Sequence, residues 1–381
     1  MTRSIPLFGI FRSAEMEAAV IEVIRSGQIA SGGHVEAFRR GFGELVGNPN
    51  VVTTNDMSSA IQIALHVSGI GAGDEVLTAA YSCMSSNAPI ATSGARAAWV
   101  DVDPATGVMD ARDFERAITP RTRAALLYHL AGYPGPVREI AEICRQRGIV
   151  LIEDCDNALL ATIDGAQVGS FGDFAIHSFY PNRQINATEG GAMVCKSPEH
   201  VARAIRLRRY GIDLTRFRDA LGEIDPNCDI AEIGWAATLN NLCSAAGASQ
   251  LASVAARVAR TRDVAQALSA RLAQLPQLAL VRPMPGATPS YWALLTRVGK
   301  RDQVMAALKA RGVQCSKLHH RTDSYSGFGA APRELPGTSA FLASVLALPC
   351  GWWLNDDDID YLVLTLKSVL EEVGCDAPAR Q

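Results

Sequence analysis

The segment IVLIEDCDN, residues 149–157, carries two carboxylates directly after a run of aliphatic residues. Such a run is typical of a strand that is buried on both faces of a sheet. Glu153 and Asp154 then stand at the carboxyl end of the strand, where open α/β sheets bind their ligands. A carboxylate buried there needs a partner. We expect Asp154 to pair with a cation such as a protonated ring nitrogen; the alternative is an ordinary salt bridge or cap at the strand–loop junction.

Strands and helices alternate on either side of this segment. The predicted strands of this part of the chain are 51–54, 75–80, 97–102, 123–130, 149–154, 174–179 and 191–196, and the predicted helices between them are 58–68, 84–93, 111–117 and 136–147. Apolar strands separated by helices predict an α/β fold with a mostly parallel central sheet covered by helices. Two helices, 13–27 and 34–46, precede the first strand.

In the second half of the chain the regular alternation of strands and helices gives way to longer helical patterns and a smaller mixed unit. Residues 198–209 form an Arg-rich helical pattern, and the Ala-rich stretch 240–273 predicts one long helix or two in tandem. Residues 278–373 predict a smaller C-terminal α+β unit, with a strand near 290–297 and helices near 301–311 and 356–373. We therefore expect a large domain over 1–255 and a small domain over 256–381.

The composition narrows the class of protein. The 381 residues have a net charge of −3, are 48% hydrophobic and contain no basic block, which disfavours nucleic acid or an anionic membrane as a main partner. Nine scattered cysteines without ligand spacing fit reduced thiols, so we expect neither a disulfide framework nor a metal site. Neither a signal-like segment nor a long apolar run is evident, and a cytoplasmic protein is expected.

Two further strand ends carry polar residues. NDMSSA, residues 55–60, ends a strand and opens a helix, and Ser58 and Ser59 are good N-cap residues for a phosphate-binding helix start. The stretch HSFYPNRQINATEGGAMV, residues 177–194, contains a long polar excursion between two apolar strands, which is more often a site than a mere connection.

These pieces, in this order, resemble the PLP-dependent fold-type I nucleotide-sugar aminotransferases, the DegT/DnrJ/EryC1/StrS family. The segments that carry the resemblance span most of the chain: 26–42, 58–65, 71–80, 100–110, 165–182, 189–194, 210–213, 245–251 and 346–359. The resemblance implies amino transfer to a keto-deoxysugar nucleotide, with glutamate as donor and pyridoxal or pyridoxamine 5′-phosphate as cofactor. It also implies a homodimer with a shared active site.

The resemblance assigns roles residue by residue. Asp154 matches the aspartate on the pyridinium nitrogen, and Asn157 matches a residue near the ring oxygen. The positions matching phosphate-binding residues are Ser58, Ser59 and Ser178, with Asn240 or Thr238 supplied by the partner chain. Cys83 stands near the position of an aromatic residue stacked on the ring, with Tyr81 beside it, and the string 319–325 makes His320 a substrate contact together with Tyr81.

The largest departure from the family pattern is Arg183, which stands where the family has its Schiff-base lysine. Guanidinium stays protonated and is a very poor nucleophile and base, so Arg183 should neither form the imine nor shuttle the proton. Only five of the 36 basic residues are lysines, and none of the five precedes Lys196. We therefore expect a cofactor held without a covalent bond.

Three interpretations of Arg183 stay open at this point. In the first, Arg183 blocks normal turnover of an aminotransferase scaffold or traps the external aldimine. In the second, the chain is a lysine-less, PMP-dependent enzyme that acts on a keto-sugar in the manner of a dehydratase. In the third, it is a non-catalytic homologue that binds a ligand or an active partner subunit.

Overall fold

The computed structural model describes residues 3–329 and 333–376. Its helices are α1 (Ala14–Ser26), α2 (Gly33–Val46), α3 (Met57–Val67), α4 (Met84–Thr92), α5 (Ala111–Ala117), α6 (Val137–Arg147), α7 (Pro198–Leu207), α8 (Asn241–Ala248), α9 (Leu251–Leu272), α10 (Arg301–Ala310), α11 (Pro336–Ser344) and α12 (Asp356–Val373). Its strands are β1 (Val51–Thr54), β2 (Glu75–Ala79), β3 (Arg96–Val100), β4 (Thr122–Tyr128), β5 (Val150–Asp154), β6 (Thr162–Ile163), β7 (Ala166–Gln167), β8 (Phe174–Ser178), β9 (Gly191–Cys195), β10 (Leu278–Leu280), β11 (Ala287–Thr288), β12 (Leu294–Val298) and β13 (Val345–Leu348).

The central sheet has seven strands in the order β1-β9-β8-β5-β4-β2-β3. The pairs β2–β3, β2–β4, β4–β5 and β5–β8 are parallel, whereas β9 runs antiparallel to both its neighbours. Tyr128 is in register with Asp154, and Asp154 is in register with Ile176. The carboxyl ends of the three middle strands therefore meet at one edge of the sheet, and the predicted α/β class is confirmed.

Helices bury both faces of this sheet because successive residues of each strand point in opposite directions. On one face Ile152 packs in the cluster that contains Ile61 of α3. On the other face Leu151 packs in the cluster that contains Phe114 of α5 and Ile140 of α6. Each such side chain contributes about 1.5–3 kcal/mol to stability when it is buried.

The C-terminal part forms a second, smaller sheet in the order β10-β12-β13. Leu268 of α9, Leu308 of α10 and Leu366 of α12 share one buried cluster with Leu346 of β13. This arrangement agrees with the predicted α+β unit, although the sequence patterns did not indicate α11, β13 or the short sheet of β6, β7 and β11.

The Ala-rich stretch forms two helices, α8 and α9, which meet at Ser249 and Gln250. The predicted domain boundary near residue 255 falls in the first turns of α9, and the division at 255 stays a prediction. The predicted domains begin at residue 1 and end at residue 381, and both of these chain ends lie outside the described residues. Among the residues that the structure describes, no helix has both the length and the apolarity needed to cross a membrane.

Candidate active site

The two carboxylates that end β5 point to opposite sides of the sheet. Glu153 accepts backbone amides from Gly169 at 2.7 Å, Phe171 at 2.8 Å and Gly172 at 2.6 Å, and its other close neighbour is the ring of His129 at 3.2 Å. Cys155 also lies near Glu153 and His129. Because the amides already satisfy both oxygens, Glu153 anchors the loop before β8 and is not part of the site.

Asp154 faces the carboxyl edge of the sheet and is completely buried. Its Oδ2 accepts the hydroxyl of Ser86 at 2.6 Å, and its Oδ1 accepts the amide of Asp156 at 3.1 Å. Burial and the nearby charge of Asp156 raise the pKa of Asp154 above its ordinary value. A cation that binds beside Asp154 would therefore stabilise the charged form of this buried carboxyl group. Ser86, which lies in the first turn of α4, was not predicted.

Arg183 is bound by a carboxylate that the sequence analysis did not single out. Its Nε lies 2.8 Å from Oδ1 of Asp156, and its Nη2 donates to Oδ2 at 2.9 Å. Nη1 donates to Asn182, and the guanidinium carbon lies 4.9 Å from the ring centroid of Trp292. The planar guanidinium is therefore engaged on its edge and on its face. Both charged side chains are nearly removed from solvent, and the charge of Asp156 raises the pKa of Arg183 despite burial.

The loop that carries Arg183 is itself firmly bound. The indole nitrogen of Trp292 donates to the carbonyl of Asn182 at 2.8 Å, and Arg257 donates to the carbonyl of Gln184, also at 2.8 Å. The side chain of Gln184 in turn donates to the carbonyl of Asn157 at 2.8 Å. The position of residue 183 is thus fixed by contacts from the loop after β5, from α9 and from the segment before β12.

A chain of hydrogen bonds leads from Asn157 to His319. Asn157 Nδ2 lies 2.7 Å from the hydroxyl of Tyr128, and that hydroxyl lies 3.2 Å from Nε2 of His319. Tyr128 ends β4 beside Asp154, and the charges of Asp156 and Asp154 add to burial in raising the pKa of its phenol. The predicted residue Asn157 therefore lies in the same cluster as Asp154 and Arg183.

The two predicted substrate contacts occupy different places. Tyr81 is buried, and its hydroxyl donates to the carbonyl of Lys317 at 2.7 Å, so it supports the segment before His319. His320 is exposed and lies 3.2 Å from the hydroxyl of Ser324. His319, one residue earlier, packs edge-on against Tyr81 with ring centroids 5.4 Å apart. The histidine next to Arg183 is therefore His319, which sequence reasoning missed.

The predicted phosphate end lies at the start of α3. The N-cap is Asp56, whose carboxylate accepts the amide of Ser59 at 2.8 Å, so the prediction that Ser58 or Ser59 caps this helix is wrong. An acidic residue is favoured at the N-cap because its carboxylate both accepts a hydrogen bond from the helix and complements the helix dipole. The hydroxyl of Ser58 donates to the carbonyl of Ser85 at 2.9 Å, and the hydroxyl of Ser59 donates to Asp56.

Ser178 reaches the same corner from the sheet. It ends β8 opposite Gly191 of β9, and a Cβ added to Gly191 would come within 2.6 Å of the amide nitrogen of Met57. Only glycine permits this close approach between β9 and the beginning of α3. The predicted cofactor residues Ser178 and Ser58 thus belong to one corner of the site.

The remaining predicted residues, Cys83, Asn240 and Thr238, take part in hydrogen bonds within the chain. Cys83 is the N-cap residue of α4 and accepts the hydroxyl of Ser85 at 3.1 Å. Asn240 caps α8 by accepting the amide of Cys243 at 2.7 Å, and Thr238 donates to the carbonyl of Arg208 at 3.2 Å. Lys196, the only lysine near the central sheet in sequence, follows β9 at the opposite edge of the sheet.

The cluster fits a phosphorylated pyridine ring. Asp154 offers a buried carboxylate to a ring cation, and the hydrogen bonds at the start of α3 leave the amides of Met57 and Ser58 to an anion. One polar atom of the Asn157 side chain, Oδ1, is buried without a hydrogen bond. Since amide orientation is assigned from its neighbours, Asn157 can present either a donor or an acceptor to a ring substituent.

Comparison with known proteins decides the family. The model of the DegT/DnrJ/EryC1/StrS aminotransferase family matches residues 12–367. The chain belongs to this family. It is also 32% identical, over 352 residues and 90% of both chains, to dTDP-4-dehydro-2,3,6-trideoxy-D-glucose 4-aminotransferase of Saccharopolyspora spinosa.

Solved structures agree with this assignment. AtS13 from Actinomadura melliaura superimposes with a TM-score of 0.90 at 31% identity, covering 96% of this chain and 98% of its own. DesV from S. venezuelae, solved in complex with a ketimine intermediate, superimposes with a TM-score of 0.85 at 28% identity, covering 93% and 94%. The predictions of an aminotransferase family, its α/β fold and its PLP or PMP cofactor class are therefore confirmed.

Proposed function

We propose that this member of the family holds PLP or PMP without a covalent bond, and that Arg183 prevents the ordinary lysine-based turnover of an aminotransferase. The observation that carries the proposal is the ion pair of Arg183 with Asp156. A guanidinium paired along one edge with a buried carboxylate stays charged, so it offers no electron pair to an aldehyde.

The cofactor would lie between two groups of residues of this chain. Asp154, supported by Ser86, would hold the ring nitrogen, and Asn157 would contact a ring substituent. Ser58, Ser59 and Ser178 would surround the phosphate, Cys83 would border the ring, and Asn240 of a second copy would complete the phosphate end. The bound cofactor supplies an electron sink that stabilises negative charge on a substrate carbon.

We further propose a nucleotide-linked keto-deoxysugar as the substrate and glutamate as the amino donor. The relative from Saccharopolyspora spinosa acts, by its name, on a dTDP-linked 4-keto-trideoxysugar and matches this chain over 90% of its length. A homodimer is proposed on the strength of the exposed apolar side chains that project from the 210–236 region, which include Tyr210, Leu214, Leu221 and Ile233.

A second candidate function is a lysine-less enzyme that uses PMP on a keto-sugar. It is favoured by a specific observation, the position of His319 beside Arg183, Tyr128 and Tyr81. In that case Arg183 is a fixed positive charge in a working site. A non-catalytic, ligand-binding homologue is the third outcome that the experiments below distinguish.

The first experiment asks how the cofactor is held. The native chain is mixed with PLP, scanned in the visible range, reduced with borohydride and weighed intact by mass spectrometry. We expect binding that dialysis reverses and no increase in mass after reduction. A PLP adduct on any lysine would contradict the proposal, and so would the absence of binding at millimolar PLP or PMP.

The second experiment separates the candidate functions. The chain is incubated with PMP and dTDP-4-dehydro-2,3,6-trideoxy-D-glucose, and the sugar products are analysed by mass spectrometry. Repeated turnover without any substitution supports the lysine-less enzyme. Binding of the sugar nucleotide without turnover, even when PMP is supplied, supports the non-catalytic homologue.

A further inference from the structure

We propose that His319 accepts and returns the substrate proton in this site, taking over the step for which Arg183 is unsuited. This inference rests on the proposed function, because it requires a PMP-type cofactor beside Asp154. It goes further in naming the group that moves the proton.

The hydrogen bonds of His319 leave one ring nitrogen available. Nε2 lies 3.2 Å from the hydroxyl of Tyr128, which lies 2.7 Å from Asn157 Nδ2. Nδ1 makes no hydrogen bond to any residue in the described part of the chain. When Nε2–H donates to the Tyr128 oxygen, the neutral imidazole therefore carries its free electron pair on Nδ1. Tyr128 and Asn157 are positioning residues in this arrangement.

The backbone holds His319 in a specific place. Leu318, directly before it, has a φ of 61°, a left-handed conformation that is unfavourable for a non-glycine residue. The hydroxyl of Tyr81 binds the carbonyl of Lys317 on one side, and Arg321 pairs with Tyr81 in a β-bridge on the other. A strained turn that is secured at both ends indicates that the direction of the His319 side chain matters.

The charges around His319 keep its ring neutral. The groups that face it are the Arg183 guanidinium and the phenols of Tyr128 and Tyr81. Burial and the charge of Arg183 lower the pKa of His319 to about 4, so the basic form is the one present at neutral pH. Bound phosphate groups bring negative charge, which raises the pKa of an imidazole and strengthens it as a base.

The other titratable groups beside Arg183 are less suited to the role. Asp156 is held by the guanidinium itself, and Asp154 is the buried partner for the ring. Burial and two carboxylates raise the pKa of Tyr128 well above its ordinary value, so its phenol keeps its proton. Cys83 stays as the competing candidate, and the test below includes it.

The proposed step is a proton transfer and needs no oxidant or reductant. A C–H bond of the bound reactant would break, its proton would move to Nδ1 of His319, and the cofactor held by Asp154 would supply the electron sink for the remaining electron pair. The imidazolium would then return the proton to carbon, so that the protein is unchanged at the end.

The test measures proton movement without requiring turnover. The protein is incubated in D2O with PMP and dTDP-4-dehydro-2,3,6-trideoxy-D-glucose, and deuterium uptake by cofactor and sugar is followed by mass spectrometry between pH 5 and 9. General acid–base catalysis contributes about 10²–10⁴-fold, so His319→Gln should slow exchange at least ~100-fold while PMP still binds by calorimetry. His200→Gln, the same change at the opposite edge of the sheet, should leave exchange unchanged.

A second readout uses the protein without cofactor. Histidine side chains are titrated by NMR, and His319 is assigned by comparison with His319→Gln. We expect its titration near pH 4 and a shift towards 6.5 in Arg183→Met, because that variant removes the repelling charge. If the pKa of His319 were the same in the native protein and in Arg183→Met, the proposed environment of His319 would be overturned.

The outcomes separate the two proposals. Failure of native protein to bind PMP overturns both the proposed function and this inference. PMP binding with exchange that persists in His319→Gln, or that is lost in Cys83→Ala or His320→Gln instead, overturns the inference alone.

Discussion

Arg183 and Asp156 form a two-pronged ion pair, with Nε 2.8 Å from Oδ1 and Nη2 2.9 Å from Oδ2, at the position that we propose corresponds to the Schiff-base lysine of this family. A buried pair of this kind is costly to break from one side, because the remaining charge loses its partner in a medium that solvates it poorly. The two residues should therefore behave as one unit in folding.

We expect Arg183→Met alone to lower the free energy of unfolding by about 3 kcal/mol, and Asp156→Asn alone by a similar amount. The double variant should lose clearly less than the sum of the two, since it leaves no unpaired charge. Urea denaturation of the four proteins gives the coupling energy directly. Strictly additive losses would show that the two side chains are energetically independent.

The same pair determines how a lysine introduced at position 183 would behave. In Arg183→Lys the carboxylate of Asp156 would stabilise the ammonium form and raise the lysine pKa, which leaves little of the nucleophilic amine. Arg183→Lys/Asp156→Asn should form more borohydride-stable PLP adduct at pH 7.5 than Arg183→Lys, by about tenfold per unit of pKa removed. Intact mass after reduction measures the adduct, and equal labelling of the two variants would count against this account.

Ser86 should control the affinity of the site for its cofactor. Its hydroxyl lies 2.6 Å from Asp154 Oδ2, and loss of a hydrogen bond to a charged group costs about 1.5–3 kcal/mol. We expect Ser86→Ala to weaken PMP binding roughly 10- to 100-fold by calorimetry. Ser85→Ala is the matched control, because its hydroxyl binds Cys83 instead, and it should change PMP affinity much less than Ser86→Ala.

Acid should destabilise the protein partly through His177. Burial lowers the pKa of this ring to about 4, whereas the unfolded chain takes up the proton near pH 6.5. The contribution of His177 to the free energy of unfolding is therefore fully present above pH 6.5. It is lost as the pH drops towards 4, by up to about 1.4 kcal/mol per pH unit for one histidine.

His177→Gln should flatten the pH dependence of the free energy of unfolding over this window. The pKa of His319 is shifted in the same direction to about 4, so the double variant His177→Gln/His319→Gln should flatten it further. Urea denaturation at pH 4.5, 5.5 and 6.5 measures the slopes. Parallel curves for native and variant proteins would contradict the assignment.

Sequence patterns predicted the central sheet well because strand and helix periods are local properties. The strand at 51–54 and the helix at 356–373 match the structure residue for residue, and most other strands differ by one or two residues at their ends. The apolar run of β5 also predicted that Glu153 and Asp154 stand at the carboxyl end of the strand, and the resemblance to the family then singled out Asp154.

The missed residues depend on neighbours that are remote in sequence. Asp156 becomes significant only beside Arg183, and Tyr128 only because β4 lies next to β5. The acidic pair in DCDN and a lone arginine in a polar loop were the available signals of charge complementarity. His319 could not be distinguished from His320, because the choice depends on the left-handed turn at Leu318.

In evolutionary terms, the ion pair makes positions 156 and 183 interdependent. A lysine that appears at 183 meets a carboxylate that keeps it charged, and a neutral residue that appears at 156 leaves an arginine buried without its counter-ion. Each single step is therefore less favourable than the double change, which disfavours the stepwise acquisition of a neutral lysine at 183. Among descendants of this chain, substitutions at the two positions should occur together.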